Sequence, residues 1–121
     1  MKKLFLALMI VTPLSFADWG DVYYCQMTSL QKITLSGEKK NYKLEKFQFK
    51  LDKNRAAMVF GQNGYFEKTV EELRPNAHWP KRESWRAGSD YARSYFNDGK
   101  FLYSMVGSLG ITSVSADCDK F

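Results

Sequence analysis

The sequence predicts an all-β domain closed on itself as a small antiparallel up-and-down barrel or flattened barrel, with a β-sandwich as the alternative. Three observations predict it. Apolar and polar residues alternate with period two, turn-forming residues return about every ten positions, and no stretch carries a convincing helical period. Aromatic side chains make up 16% of the chain, and together with its Thr, Ser and Val they favour strands. About eight short strands leave open edges, which such a chain removes by closing or by pairing two sheets. A length of 121 residues suits one such domain.

Residues 1–17 read as a leader. Met1-Lys2-Lys3 is basic, Leu4 to Val11 is wholly apolar, and small residues at Ser15 and Ala17 mark a cleavage point. This is the layout of a secretory signal, and the apolar run is shorter than the roughly twenty residues of a transmembrane anchor. The expected mature chain is 18–121, secreted or periplasmic. Loss of Lys2 and Lys3 lowers the formal charge from +5 to +3, too weak and too dispersed an excess for specific nucleic-acid binding.

Asp21–Thr28 alternates as a first strand, with Tyr23, Cys25 and Met27 on one face, and 30–35 continues it or forms a short second one. Residues 36–41 (SGEKKN) read as a polar turn. Lys43–Leu51 puts Phe47, Phe49 and Leu51 on one face and Lys46, Gln48 and Lys50 on the other. Asp52–Arg55 turns the chain into the apolar run Ala56–Phe60. Gly61 to Gly64 reverses it into Tyr65–Val70. Leu73–Lys81, with Pro75 and Pro80, is the least regular stretch.

Strands resume at Glu83–Ala87, Tyr91–Phe96, Lys100–Val106 and Ile111–Cys118. Asp98-Gly99 between two alternating runs is a hairpin signal that favours a two-residue turn. That turn pairs Phe96 with Phe101, Ser94 with Tyr103 and Ala92 with Met105 on the inner face. It leaves Tyr91, Arg93 and Tyr95 outside with Leu102 and Ser104.

Cys25 and Cys118 are the two cysteines. In an exported chain an even count reads as a disulfide, here between the first and last strands, as expected if those strands neighbour each other in a closed barrel. No C-x-x-C is present, so redox chemistry is not indicated.

The chemistry of catalysis is thin. His78 is the one histidine, read as a loop residue, so neither a nucleophile–base pair nor a zinc site can be assembled; no metal and no cofactor are expected. Glu71 and Glu72 are adjacent and fall on opposite faces of a strand. With Glu67 and Asp117 they are read as exposed acids, which leaves a carboxylate-based hydrolase as an alternative only. Lys39, Lys40, Lys43, Lys46 and Lys50 read as a solvated, edge-blocking run.

Rings and cations are dense between Trp79 and Tyr103. Trp79, Trp85, Arg86, Tyr91 and Arg93 are the candidate ligand contacts, suited to a small aromatic, sugar or anionic ligand. The expected role is a binding or interaction module rather than an enzyme; an envelope-associated structural protein is a further alternative, recognisable by an apolar surface patch.

The fragments YYCQMTSLQKITL, KLEKFQFKLD, MVFG, GYFEKT, GKFLYS and ITSVSADCDKF make most of the mature chain similar to a group of small secreted proteins of marine bacteria. The resemblance implies export and carries no catalytic motif.

If the leader is read correctly, intact-mass measurement of the exported protein will give a chain beginning at Asp18; a mass that retains Met1 refutes export by this route.

Overall fold

The computed structural model describes residues 17–73 and 84–121, and among them it contains strands and turns but no helix. The nine strands are β1 (Val22–Thr34), β2 (Lys39–Asn41), β3 (Lys46–Asp52), β4 (Ala57–Phe60), β5 (Val70–Glu72), β6 (Ser84–Gly88), β7 (Ala92–Asn97), β8 (Lys100–Gly107) and β9 (Gly110–Lys120). Eight of them form one sheet in the order β5-β4-β3-β1-β9-β8-β7-β6, and β2 pairs with β1 off this path. Every pairing is antiparallel. A single antiparallel bridge, Leu73 to Ala87, brings the β5 and β6 ends together. Read round the ring, consecutive strands are neighbours and the last pairs with the first. The result is a nearly closed up-and-down barrel.

β1 and β9 form the long seam of that ring, pairing from Tyr23–Lys120 to Thr34–Gly110. A one-residue bulge falls at Thr28, where the register shifts between Met27 and Ser29. The Thr28 and Ser115 hydroxyls hydrogen-bond across it at 2.7 Å. Absorbing the extra residue keeps Met27 and Leu30 both facing inward, although their three-residue spacing breaks period two. The bulge thereby lets 30–34 continue the first strand.

Cys25 lies directly opposite Cys118, and the two are joined, with Cα atoms 4.0 Å apart. The Cys118 amide donates to the Gly99 carbonyl on its other side, so the cysteines occupy a narrow, non-hydrogen-bonded pair where side chains approach closely.

The β7–β8 hairpin has the two-residue turn. Asn97 pairs with Lys100, Phe96 with Phe101, Ser94 with Tyr103 and Ala92 with Met105. Asp98 and Gly99 both take positive φ, 48° and 76°, as a type I′ turn requires. Tyr91, Arg93, Tyr95, Leu102 and Ser104 are all exposed on the outer face.

Three local readings are corrected. The polar stretch 36–41 is not all turn: Gly37 and Glu38 close a tight reversal against Thr34, and Lys39–Asn41 returns as β2. β3 begins at Lys46, not Lys43. Tyr65–Val70 is not a strand, because Glu67, Lys68 and Thr69 fold back on Gly64, Gly61 and Phe66 and Lys68 takes a positive φ of 57°. That turn drops Phe66 into the barrel instead, and the strand follows as β5.

The interior is a packed aromatic core. Phe49 lies within 5.2 to 5.8 Å of Tyr23, Phe60, Phe96 and Phe101. Phe101 in turn meets Phe47 at 5.1 Å and Phe66 at 5.7 Å. These rings come from β1, β3, β4, β7, β8 and the 61–69 turn, so one cluster ties most of the ring together. Eight strands enclose a space that side chains can just fill, and here they fill it.

Removing the cross-link should destabilise the barrel. A Cys25→Ala/Cys118→Ala variant frees a loop that the chain-entropy model values at roughly 4–5 kcal/mol; urea denaturation should show a loss of at least about 2 kcal/mol.

Candidate functional site

Beyond the packed rings, concave space lies at the open end of the barrel, where Leu30, Met105 and Thr112 line a hollow of about 450 Å³, and on its outer face. A groove of about 650 Å³ lies on the outer face, spanning β6, β7, β8, β9 and β1. Its lining follows from strand register. One row across the sheet runs Arg86–Tyr95–Leu102–Ser115–Ser29. The next runs Arg93–Ser104–Ser113 and on to Gln31. Alternation alone puts these side chains outward, since their neighbours Ala87, Ser94, Tyr103 and Val114 face the core.

The two arginines stand on adjacent strands at one end of the groove. Arg93 is held in place by its own turn: Nη1 donates to the Ser89 carbonyl and approaches that of Ala92 at 3.4 Å. Tyr95 lies directly across from Arg86, and Leu102 beside Tyr95. At the other end are hydroxyls, Ser104 and Ser113 in one row and Ser115 and Ser29 in the other. No carboxylate lines the groove among the described residues. Two guanidinium groups, a ring and a hydroxyl row form a surface able to hold an anion by paired N–H donors and to meet a hydroxylated body beside it.

The barrel wall beneath carries a buried polar pair. Glu71 lies inward on β5, buried rather than exposed as the sequence suggests, and Ser94 donates its hydroxyl to Glu71 Oε1 at 3.2 Å. Glu72 points outward. Glu71 is the single fully buried carboxylate among the described residues. Burial pushes the Tyr103 phenol up to about 12, with Tyr65 and Glu71 adding to the effect. Tyr23 is likewise pushed up to about 12 by burial and by Asp21. On the exposed face, Asp117 accepts a 2.6 Å hydrogen bond from Lys100 and holds its ammonium above the usual lysine range.

No family model, curated protein or solved structure matches the chain.

The five candidate ligand contacts separate. Arg86 and Arg93 meet in the groove. Trp85 is buried and packs edge-on against Trp19 at 5.1 Å, so it supports the wall from within. Tyr91 is exposed at the β6–β7 turn, outside the groove lining. Trp79 and His78 lie outside the described residues. Sequence reading missed Tyr95, Leu102 and the serines. The signal was present in the outward positions of ITSVSADC, where Ser113 and Ser115 alternate with Val114 and Ala116.

The two buried phenols set an alkaline limit. Both folded values exceed the ordinary tyrosine value, so the stabilisation they carry is complete below about pH 10 and is lost as pH rises toward about 12. Unfolding free energy measured between those limits should fall steeply, and a Tyr23→Phe/Tyr103→Phe variant should show a flatter profile.

Proposed function

We propose that this protein is an exported binding module whose outer groove takes a small anionic, hydroxyl-rich ligand of the sugar-acid class. The observation that carries this reading is the convergence of Arg86 and Arg93 on one groove that also presents Tyr95 and a hydroxyl row. Arginine forks suit a carboxylate, the tyrosine ring suits the apolar face of a sugar, and short serine hydroxyls suit its edge. Export is supported by the three-part leader and by the Cys25–Cys118 disulfide, which is at home in an oxidising compartment. Binding rather than catalysis is favoured because, among the described residues, the groove brings cations and hydroxyls together without a base beside a nucleophile.

Titration with glucuronate, followed by NMR shifts, tests this reading. Shifts should concentrate on β6–β9, with glucose producing little change. Arg93→Gln should weaken binding about tenfold or more, given the usual worth of a charged hydrogen bond. Equal response to glucose, or shifts away from the groove, would reject the sugar-acid assignment.

A further inference from the structure

A second surface, at the end of the barrel where β1, β8 and β9 run longest, is unrelated to the groove chemistry. There Val106, Ile111 and Ile33 form a continuous apolar row across the outer face of three strands. Beyond that row two tight turns meet side by side. Thr34 is paired with Gly110, so Leu35 at the head of the β1–β2 turn neighbours Leu109 at the tip of the β8–β9 turn. Leu35 is 81% exposed and Leu109 72% exposed. Tyr91, also exposed, joins the row from β7's turn, its carbonyl accepting from the Val106 amide.

Neither leucine is there to shape its turn. The first reversal is fixed by Thr34, whose hydroxyl meets that of Ser36 at 2.9 Å and accepts from the Glu38 amide at 3.2 Å. The second is fixed by glycines: a Cβ at Gly110 would lie 2.1 Å from the Ile33 carbonyl oxygen. Gly, Asn, Asp and Ser are the usual residues at such tips. Leucine there places bare hydrocarbon at two exposed turns, which a solvated turn has no reason to keep.

Lysines border the apolar tip on one side. Lys39, the cross-strand partner of Ile33, lies on the outer face, while Lys40 pairs with Lys32 on the alternate face, and Lys32 and Lys43 line the hollow at the same open end of the barrel. Glu38 pairs with Lys40 at 3.4 Å, and the four lysines outnumber the local acids Glu38 and Glu45. Two adjacent apolar tips with a cationic border are the composition of a peripheral membrane contact: hydrocarbon enters the acyl boundary while ammonium groups meet anionic headgroups. A second copy of the chain fits less well, because a stable protein interface takes about 20–30 residues a side and this patch holds six side chains, Ile33, Leu35, Tyr91, Val106, Leu109 and Ile111. We infer that the Leu35/Leu109 end of the barrel docks on an anionic lipid bilayer.

Co-sedimentation with phosphatidylcholine vesicles, with and without phosphatidylglycerol, tests the inference on the exported protein free of its own apolar leader. Binding is expected to vesicles containing phosphatidylglycerol and to fall with added salt. Leu35→Ser/Leu109→Ser should reduce it about tenfold or more, and each of Lys39→Gln and Lys40→Gln about fivefold. Thermal melting of the variants checks that the fold is kept, and the wild-type salt dependence stands without them. Equal binding to both vesicle types, binding unchanged by the leucine variant, or a dimer that the leucine variant dissociates while vesicles bind nothing would each overturn it. Glucuronate binding should be unaffected by the tip variants, so failure here is distinct from failure of the groove assignment.

Discussion

The pairing of β1 with β9 is the constraint on which the rest of the molecule depends. Each strand of the barrel follows its predecessor through a hairpin or short connection, and such local pairings form readily. The β1–β9 seam instead joins opposite ends of the chain across a separation of 93 residues at the disulfide, where loop-closure entropy is greatest. Without it the sheet would have edges at β1 and β9 as well as at β5 and β6. The disulfide lies on the least local pairing, where a cross-link restricts the unfolded chain most in the entropic picture. The same seam carries Ser29, Ser113 and Ser115 of the groove and the apolar row of the tip, so both candidate surfaces exist only once it has closed.

Filling the interior with rings has a functional consequence. Large rings at Phe47, Phe49, Phe96 and Phe101 make the barrel a rigid support, and in the proposed reading recognition moves to its outside. On an outward face, specificity has to come from rows across strands, because neighbouring residues along one strand point in opposite directions. Arg86 and Tyr95 face each other across β6 and β7, and Arg93 and Ser104 across β7 and β8. A slip of one residue at Asp98-Gly99 would scatter the Arg93–Ser104 pair.

The sequence made the ring architecture legible where one strand face is solvated. β1, β3, β7, β8 and β9 announce themselves by alternation, and the cysteines identify which two strands meet. β2 was not legible, since Lys39, Lys40 and Asn41 are all exposed and are held by backbone pairing and polar contacts such as Gln31 to Asn41, which leave no hydrophobic pattern. The 65–70 error has a different cause: Phe66 needs burial in a turn as much as in a strand, and positive φ at Lys68 has no residue signature. Of the candidate site, the arginines were legible as cations near rings. Ser29, Ser113 and Ser115 were not, because they arrive from β1 and β9, and the bulge at Thr28 that aligns Ser29 with Ser115 is a tertiary adjustment.

The start of the barrel brings both ends of the chain to a single carboxylate. Asp21 accepts from the Asp18 backbone nitrogen at 2.8 Å, and its same oxygen meets the Lys120 ammonium at 3.2 Å. In the unprocessed chain the first of these is a neutral amide donor. Cleavage after Ala17, as proposed, would turn that nitrogen into an α-ammonium, so peptide-bond hydrolysis would convert an ordinary hydrogen bond into an ion pair and set Asp21 between two cations from opposite termini. Maturation would then do more than release the domain. It would create a charge clasp at the mouth of the seam, one that the precursor lacks and that forms only after the leader has been removed.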